Sequence, residues 1–348
     1  MQKFFGASIR HSISDAPQAS SLEGYQAQLS EPRHQTDPHV LVVGEALIDI
    51  IAVPGRAKES PGGSPANVAL GLARLGIRTS FLTALGPDSK GQAIASRLRA
   101  AGVEILPESW SLPATSTARA EIQTDGSALY TFDINWTVPA QVSLPQVDHV
   151  HIGSISAFIS PGADEVEKIV TALRPHATVS FDPNIRRDLV GNKAAALKRF
   201  ERIAGLADVL KLSDEDAAFL YPGLTEEEAA RTIASKGPVT AVTKGARGSL
   251  LLSAGEIITI DPIPDVRVQD TVGAGDSYMA ALLTALLRRG RPQLEPLAGS
   301  ELLSAGTFAA DAAAITVSRT GAEPPTLLDL QAFVTHPSST SDTDQFAI

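Results

Sequence analysis

The sequence predicts an α/β fold with a mostly parallel central sheet covered on both faces by helices. Three observations lead there. From Val40 onward, short apolar β-branched runs alternate with stretches of helical period. Glycine-rich or polar segments follow the apolar runs, as in folds that bind ligands beyond the carboxyl ends of parallel strands. One interval, Thr115 to Asn135, breaks the alternation with two extended segments around Asp125-Gly126, a hairpin-turn signal. It reads as a small lid or subdomain outside the main sheet.

The elements can be taken in order. Val40 to Val43 is a buried strand, continued through Ala46 to Ile51. Pro61-Gly62-Gly63-Ser64-Pro65-Ala66-Asn67 is a glycine turn feeding a helix that carries Val68, Leu72 and Leu75 and stops at Gly76. Ser80 to Ala84 is a strand and Gln92 to Ala101 a helix. Beyond the β-rich interval, Val147 to Ile152, Thr178 to Phe181, Asp208 to Leu212 and Val239 to Val242 are strands. Helices over Ala163 to Leu173 and Ala194 to Ala204 lie between them, and a helix opens at Ser213. Thr225 and Glu228 form a capping-box pattern. Leu250 to Leu252 and Ile257 to Ile260 form a hairpin, and Leu302 to Val317 is a long alanine-rich helix. The polar segments 1–38 and 337–348 are predicted to be disordered tails around one domain, 39–336. Lys3, Arg10 and several serines ahead of Asp15 leave a targeting segment as the rival reading of the first tail.

Composition narrows the function. A chain of 348 residues with 43% hydrophobic and 20% charged residues can bury a sizeable core. A net charge of −10 argues against nonspecific nucleic-acid or anionic-membrane binding. The absence of cysteine excludes disulfides, thiolate nucleophiles and cysteine-based metal sites. No apolar run is long enough to span a membrane, and Met1 to Gly6 lacks the apolar core of a secretory signal. A cytoplasmic enzyme acting on small molecules is expected.

The most informative stretch is Asp270-Thr271-Val272-Gly273-Ala274-Gly275-Asp276. The glycines permit a sharp turn, and Met279, Leu282, Leu283 and Leu286 then repeat at helical spacing. Arg288, Arg289 and Gly290 read as that helix's C-terminus. Gly273 to Asp276 therefore falls at a helix N-terminus, where free N–H groups and the helix dipole favour an anion. Asp276 is itself a carboxylate in that corner, so it makes sense as a base acting beside the anion.

Asp49, after a buried strand, is either a solvated loop acid or a ligand-binding carboxylate at a strand end. Asn67 in the first turn of its helix is either a local cap or a ligand contact. Arg186, in Asp182-Pro183-Asn184-Ile185-Arg186, is either a surface ion-pair partner or a contact to phosphate or substrate. His149 and His151 share one strand face and could pair on a metal, although partly exposed strand residues are the simpler expectation. No P-loop, protein-kinase motif set, dinucleotide fingerprint or nucleophile elbow is present.

Asp270 to Asp276 matches the C-terminal signature of the ribokinase-like (PfkB) carbohydrate kinases, and Gly62-Gly63-Ser64-Pro65-Ala66-Asn67, with Gly71 and Gly76, resembles their N-terminal signature. Thr243-Lys244-Gly245-Ala246-Arg247-Gly248 and Asp182 to Arg186 are similar to further family elements. The resemblance runs from about Val40 to Pro325. It implies a three-layer α/β/α fold with a small β-sheet lid, formed here by about 49–61 and 115–136. The implied activity is ATP-dependent phosphorylation of a sugar hydroxyl. By motif, Asp276 would be the base, and the N–H groups of Gly273, Ala274, Gly275 and Asp276 the anion hole. Asp49, Gly62, Gly63, Asn67 and Arg186 would contact the sugar, and residues Thr243 to Gly248 would bind ATP.

Gly44-Glu45-Ala46-Leu47-Ile48-Asp49 and Asp182 to Arg186 look most like fructokinases. 2-Keto-3-deoxygluconate kinase and ribokinase are the alternatives, with a non-catalytic sugar or nucleotide sensor as a reading of another class. The family's Asn-x-x-Glu element appears as Ser213-Asp214-Glu215-Asp216, which puts Asp216 in the place tied to Mg2+. Asp270 and Val272 match a potassium-binding loop, whose downstream part here ends in Pro324-Pro325. An exposed apolar lid face would make a homodimer.

Overall fold

The computed structural model describes residues 38–53, 56–122, 128–235, 239–289 and 297–335. The two predicted tails, the Asp125-Gly126 turn and Gly290 lie outside them. In chain order the first elements are β1 (His39–Val43), β2 (Leu47–Val53), β3 (Arg56–Gly62), α1 (Ser64–Arg74), β4 (Arg78–Leu82), α2 (Ser89–Ala100) and β5 (Glu104–Ile105). Then come β6 (Thr117–Ile122), β7 (Ala128–Asp133), β8 (His149–Gly153), α3 (Gly162–Leu173), β9 (Thr178–Asp182), α4 (Lys193–Ala204) and β10 (Val209–Ser213). The last are α5 (Asp214–Leu220), α6 (Glu226–Ala234), β11 (Val239–Thr243), β12 (Ser249–Ser253), β13 (Glu256–Ile260), α7 (Ala274–Leu287), α8 (Gly299–Val317) and α9 (Leu327–Thr335).

Nine strands form the main sheet in the order β13-β12-β11-β10-β9-β8-β1-β4-β5. It is parallel from β11 to β5, and the β12–β13 hairpin adds an antiparallel edge. Alternation along β1 explains the three layers. Val40 and Val42 join the core beneath α1, α2, α7 and α8, whereas Leu41 and Val43 join the core beneath α3 to α6. A parallel sheet buried on both faces needs apolar residues at nearly every strand position. Phe181 and Phe200, with ring centroids 5.8 Å apart, anchor the second layer. In the first layer α1 crosses α7 so closely that a Cβ on Gly71 would lie 2.7 Å from the Ala280 methyl carbon.

The predicted separate β unit is present as a four-stranded sheet, β3-β2-β6-β7. β3 carries a polar, largely exposed sequence with a proline, which is tolerated at a sheet edge and gives little strand signal. Arg97 of α2 ties this sheet to the large domain. Its guanidinium donates to the Pro61 carbonyl at 3.0 Å, to the Ala322 carbonyl, and to Glu323 at 2.7 Å. Arg74 of α1 reaches the other Glu323 oxygen at 2.8 Å and donates to the Pro324 carbonyl.

One expectation is corrected here. His149 and His151 are not partly exposed but buried, at 0% and 1% exposure. β8 lies inside the sheet between β1 and β9, and the histidines occupy the face opposite Val150 and Ile152. Their rings bond Thr178 and Ser180 hydroxyls at 2.7 to 2.9 Å, and no metal-holding group of three acids or histidines occurs among the described residues.

Burial pushes both imidazole pKa values down to about 3. Below about pH 6.5 the unfolded chain takes up protons that the native histidines refuse, so this contribution lowers stability as pH falls from about 6.5 toward 3. Glu45, Asp49 and Asp182 have raised values and act in the opposite sense. Urea unfolding of a His149→Leu/His151→Leu variant should isolate the histidine part. Its stability should rise less steeply than the wild type's between about pH 4 and 6.5, and equal slopes would mean that the native imidazoles titrate normally. A second variant, Arg97→Met, should accelerate amide exchange at Gly62, Ala322 and Glu323 by about tenfold or more, because charged hydrogen bonds hold these segments. Unchanged exchange there would show that Arg97 is no tie.

Candidate active site

Two helix N-termini meet at the carboxyl end of the main sheet. Gly63 caps α1 with φ 101° and Gly273 caps α7 with φ 78°, both in the region that favours glycine. A Cβ on Gly273 would also strike Ala322, 2.6 Å from its methyl carbon. The first turn of α7 carries Asp276, which is only 7% exposed. The first turn of α1 supplies its partners: Ser64 Oγ donates to Asp276 Oδ1 at 2.6 Å, and Asn67 Nδ2 donates to Oδ2 at 2.8 Å. The carboxylate is thus fixed in orientation beside the leading N–H groups of α7, Gly273 to Asp276.

The sugar-side candidates divide between the two sheets. Asp49, on β2, lies so close to β3 that a Cβ on Gly62 would fall 1.9 Å from its Oδ2. Burial pushes the Asp49 carboxyl up to about 6, opposed by the positive charge of Arg186. Arg186, on the large domain, is exposed, and its Nη1 donates to Asn184 Oδ1 at 2.8 Å. Gly62 lies against Asp49, and Gly63 caps α1, whose Asn67 bonds Asp276.

The candidate nucleotide loop follows β11. Gly245–Arg247 is a single 3-10 turn, closed by the Lys244 N–H donating to the Gly248 carbonyl at 2.8 Å. Gly248 has φ 80°, and a Cβ there would lie 2.0 Å from the Ile260 carbonyl oxygen. The Arg247 side chain pairs with Asp214 at 2.6 Å and Glu226 at 2.7 Å, so it reaches the loop already engaged.

Asp216 has a local structural role where the sequence suggested a metal. Its Oδ2 accepts the Ser213 N–H in a capping box, and its Oδ1 accepts the Ile185 N–H at 2.8 Å. It thereby fixes the segment that carries Arg186. Asp270 and Val272 do lie beside the 319–321 stretch: Asp270 Oδ1 accepts the Val272 N–H at 3.0 Å and Oδ2 the Gly321 N–H at 2.9 Å.

Sequence reasoning gave no role to Ser64, Asp182, Lys211 or Glu45. Lys211 Nζ donates to Asp182 Oδ2 at 2.8 Å, and both residues are buried. Burial pushes the Asp182 carboxyl up to about 6, with Lys211 opposing and Asp216 and Asp276 reinforcing the rise. Burial also works against the Lys211 charge, but Asp182, Asp276 and Asp216 outweigh it and raise the lysine pKa. The available signal was a lysine in an otherwise apolar strand, Val209-Leu210-Lys211-Leu212. Glu45 is buried beside the same edge, accepts the Ser156 N–H at 3.1 Å, and is pushed up to about 7 by burial.

Known proteins share this architecture and sequence. Residues 37–328 match the family described as pfkB family carbohydrate kinase. A fructokinase of Rhizobium leguminosarum bv. trifolii is 32% identical over 260 residues, covering 71% of this chain and 79% of the relative. A fructokinase of Escherichia coli is 32% identical over 265 residues, covering 72% and 85%. Among solved structures, fructokinase from Vibrio cholerae O395 bound to fructose, ADP and a calcium ion superposes with a TM-score of 0.73 at 26% identity, covering 85% of this chain and 98% of that one. Aminoimidazole riboside kinase from Salmonella enterica, complexed with its riboside and an ATP analogue, gives 0.72 at 26% identity, with 85% and 99% covered. The large sheet with its separate small sheet is thus a shared fold, and the chain belongs to the PfkB family of carbohydrate kinases.

Proposed function

We propose that this kinase transfers the γ-phosphoryl group of MgATP to the 6-hydroxyl of fructose. The observation that carries the reading is Asp276, fixed by Ser64 and Asn67 at the start of α7, beside N–H groups with no partner inside the helix. Asp276 takes the proton of the attacking hydroxyl. The sugar oxygen forms a bond to the γ-phosphorus as the bond to the β–γ bridging oxygen breaks, and that electron pair leaves on ADP. The N–H groups of Gly273 to Asp276 face the charge on the moving phosphoryl group. Asp49, with Gly62 and Gly63 beside it, receives the sugar hydroxyls, and the Thr243 to Gly248 turn receives the nucleotide.

Fructose is favoured by the fructokinases among the relatives and by the charge of the cleft. The Arg186 charge already acts on Asp49, so a neutral sugar suits the site better than an acid such as 2-keto-3-deoxygluconate, whose carboxylate would compete with Asp49. Magnesium arrives as part of the nucleotide substrate. Such an ion keeps much of its water shell and needs few protein oxygens, which accords with the lack of a metal-holding cluster among the described residues. Potassium at Asp270 and Val272 would share the Asp270 carboxylate with two N–H donors. The exposed face of the small sheet, with Ile51, Val53, Tyr130 and Phe132, suits a second copy of the chain.

A coupled assay of kcat/KM across fructose, ribose, 2-keto-3-deoxygluconate and adenosine should rank fructose first. Another sugar in first place replaces the substrate, and tight sugar binding without any turnover would make the protein a sensor. Asp276→Asn should lower kcat by about 100-fold or more, the usual loss on removing a general base, while sugar affinity changes little. Near-normal turnover in that variant removes Asp276 from the mechanism.

A further inference from the structure

The chain passes between the large and small sheets at four places, and each passage is fastened to the large domain. The Pro61 carbonyl, at the end of β3, is held by Arg97. Thr115, ahead of β6, gives its N–H and its hydroxyl to Asp88, each at 2.8 Å. The first and last passages share another anchor, the single turn Ser154–Ala157 that follows β8. Glu45, in the link between β1 and β2, accepts the Ser156 N–H at 3.1 Å, and the Ser154 and Ser156 hydroxyls favour its charged form. Trp136, just beyond β7, donates its indole N–H to the Ser156 carbonyl at 2.9 Å.

The turn is in a demanding conformation. Ser154 has φ 57°, which a serine keeps only where its neighbours over-determine it. A Cβ on Gly44 would lie 2.9 Å from Ser156 Oγ and 2.3 Å from Pro65 Cγ, so the link, the turn and the start of α1 are in contact. Glu45 itself is 5% exposed and meets hydroxyls and an N–H but no charge. An unpaired carboxylate is a costly way to fill such a volume, and the phosphoryl-transfer step makes no use of it. Burial pushes this carboxyl up to about 7. Its acid form offers one acceptor and one donor, which suit the Ser156 N–H and a serine hydroxyl oxygen.

We infer that Glu45 is a positioning residue: it fastens the link between the sheets to the Ser154–Ala157 turn and so sets where Asp49, on the strand that follows, meets the sugar. The part played by Asp49 rests on the proposed function, and the fastening does not. Loosening the link should act on sugar KM more than on nucleotide KM, because the candidate nucleotide turn follows β11 in the large domain.

Glu45→Leu keeps much of the volume and removes both hydrogen-bonding oxygens. In the protein without ligands, amide exchange at Ile48 and Asn135 should accelerate about tenfold, the scale of one lost buried hydrogen bond. These N–H groups bond Ser116 and not Glu45, so they report on the small sheet's attachment. Asp208 and Val239, bonded within the main sheet, should keep their rates. With the best sugar of the panel, sugar KM should rise about tenfold while nucleotide KM stays within about twofold. Glu45→Gln carries the donor and acceptor of the acid form and should recover most of the sugar affinity. Ser154→Ala removes only a hydroxyl beside Glu45 and should accelerate the same two amides about threefold, so the test stands even if the leucine variant does not fold. Unchanged exchange at Ile48 and Asn135 overturns the inference, as does equal acceleration at Asp208 and Val239 or a glutamine variant as impaired as the leucine one. Local acceleration with an unaltered sugar KM supports the fastening and removes Asp49 from the sugar site instead.

Discussion

The site depends on one contact, the pair of hydrogen bonds from Ser64 and Asn67 to Asp276. They join the first turns of two helices that approach from different parts of the chain. Without them two positive helix ends would face each other across a solvated gap. With them a carboxylate sits between the two ends, oriented by donors on both of its oxygens. The close crossing of α1 and α7 at Gly71 and Ala280 sets that approach one to two turns deeper in the core. The packing of the first layer is therefore also the alignment of the site.

The same corner is closed from outside by the 321–325 segment. Ala322 lies against Gly273, the Gly321 N–H binds Asp270, and Arg97 and Arg74 together hold Glu323. Arg97 also holds the end of β3, next to Gly62 and hence to Asp49. One guanidinium thus links the small sheet to the segment that covers the start of α7. Displacement of the small sheet would be felt at the anion corner through this residue, not only through a bound ligand.

The strand–helix alternation, the separate β unit and the placement of Gly273 to Asp276 at a helix start were legible because they are written in local patterns. Period, capping residues and glycine turns act over a few residues. The partners were not legible. That Asp276 would be bonded by Ser64 and Asn67, over 200 positions earlier, depends on how two helices cross. The burial of His149 and His151 depends on β8 lying inside the sheet, which strand order decides and local sequence does not. Asp216 illustrates the converse. Its spacing from Ser213 fits a capping box as well as a family metal position, and the structure forms the cap. Lys211 had a local signal, a charge in an apolar strand, but its meaning required the neighbouring strand's Asp182 and the helix above.

The cations at this edge share a feature that bears on ligand choice. Lys211 is bound to Asp182 and Arg247 to Asp214 and Glu226, while Arg186 acts on Asp49 through its charge. Two of these positive charges are paired with acids before any ligand arrives, and the chain as a whole carries −10. On the proposed function, anion attraction at the site would come from oriented N–H groups and not from a general positive field, which would act at long range and discriminate little. A bare polyanion approaching this edge would meet acids as well as bases. A polyanion that carries its own divalent cation presents a smaller net charge and gives those acids a partner. On the proposed function, the arrangement suits the divalent-cation form of a nucleotide better than the free form, through paired charges already in place.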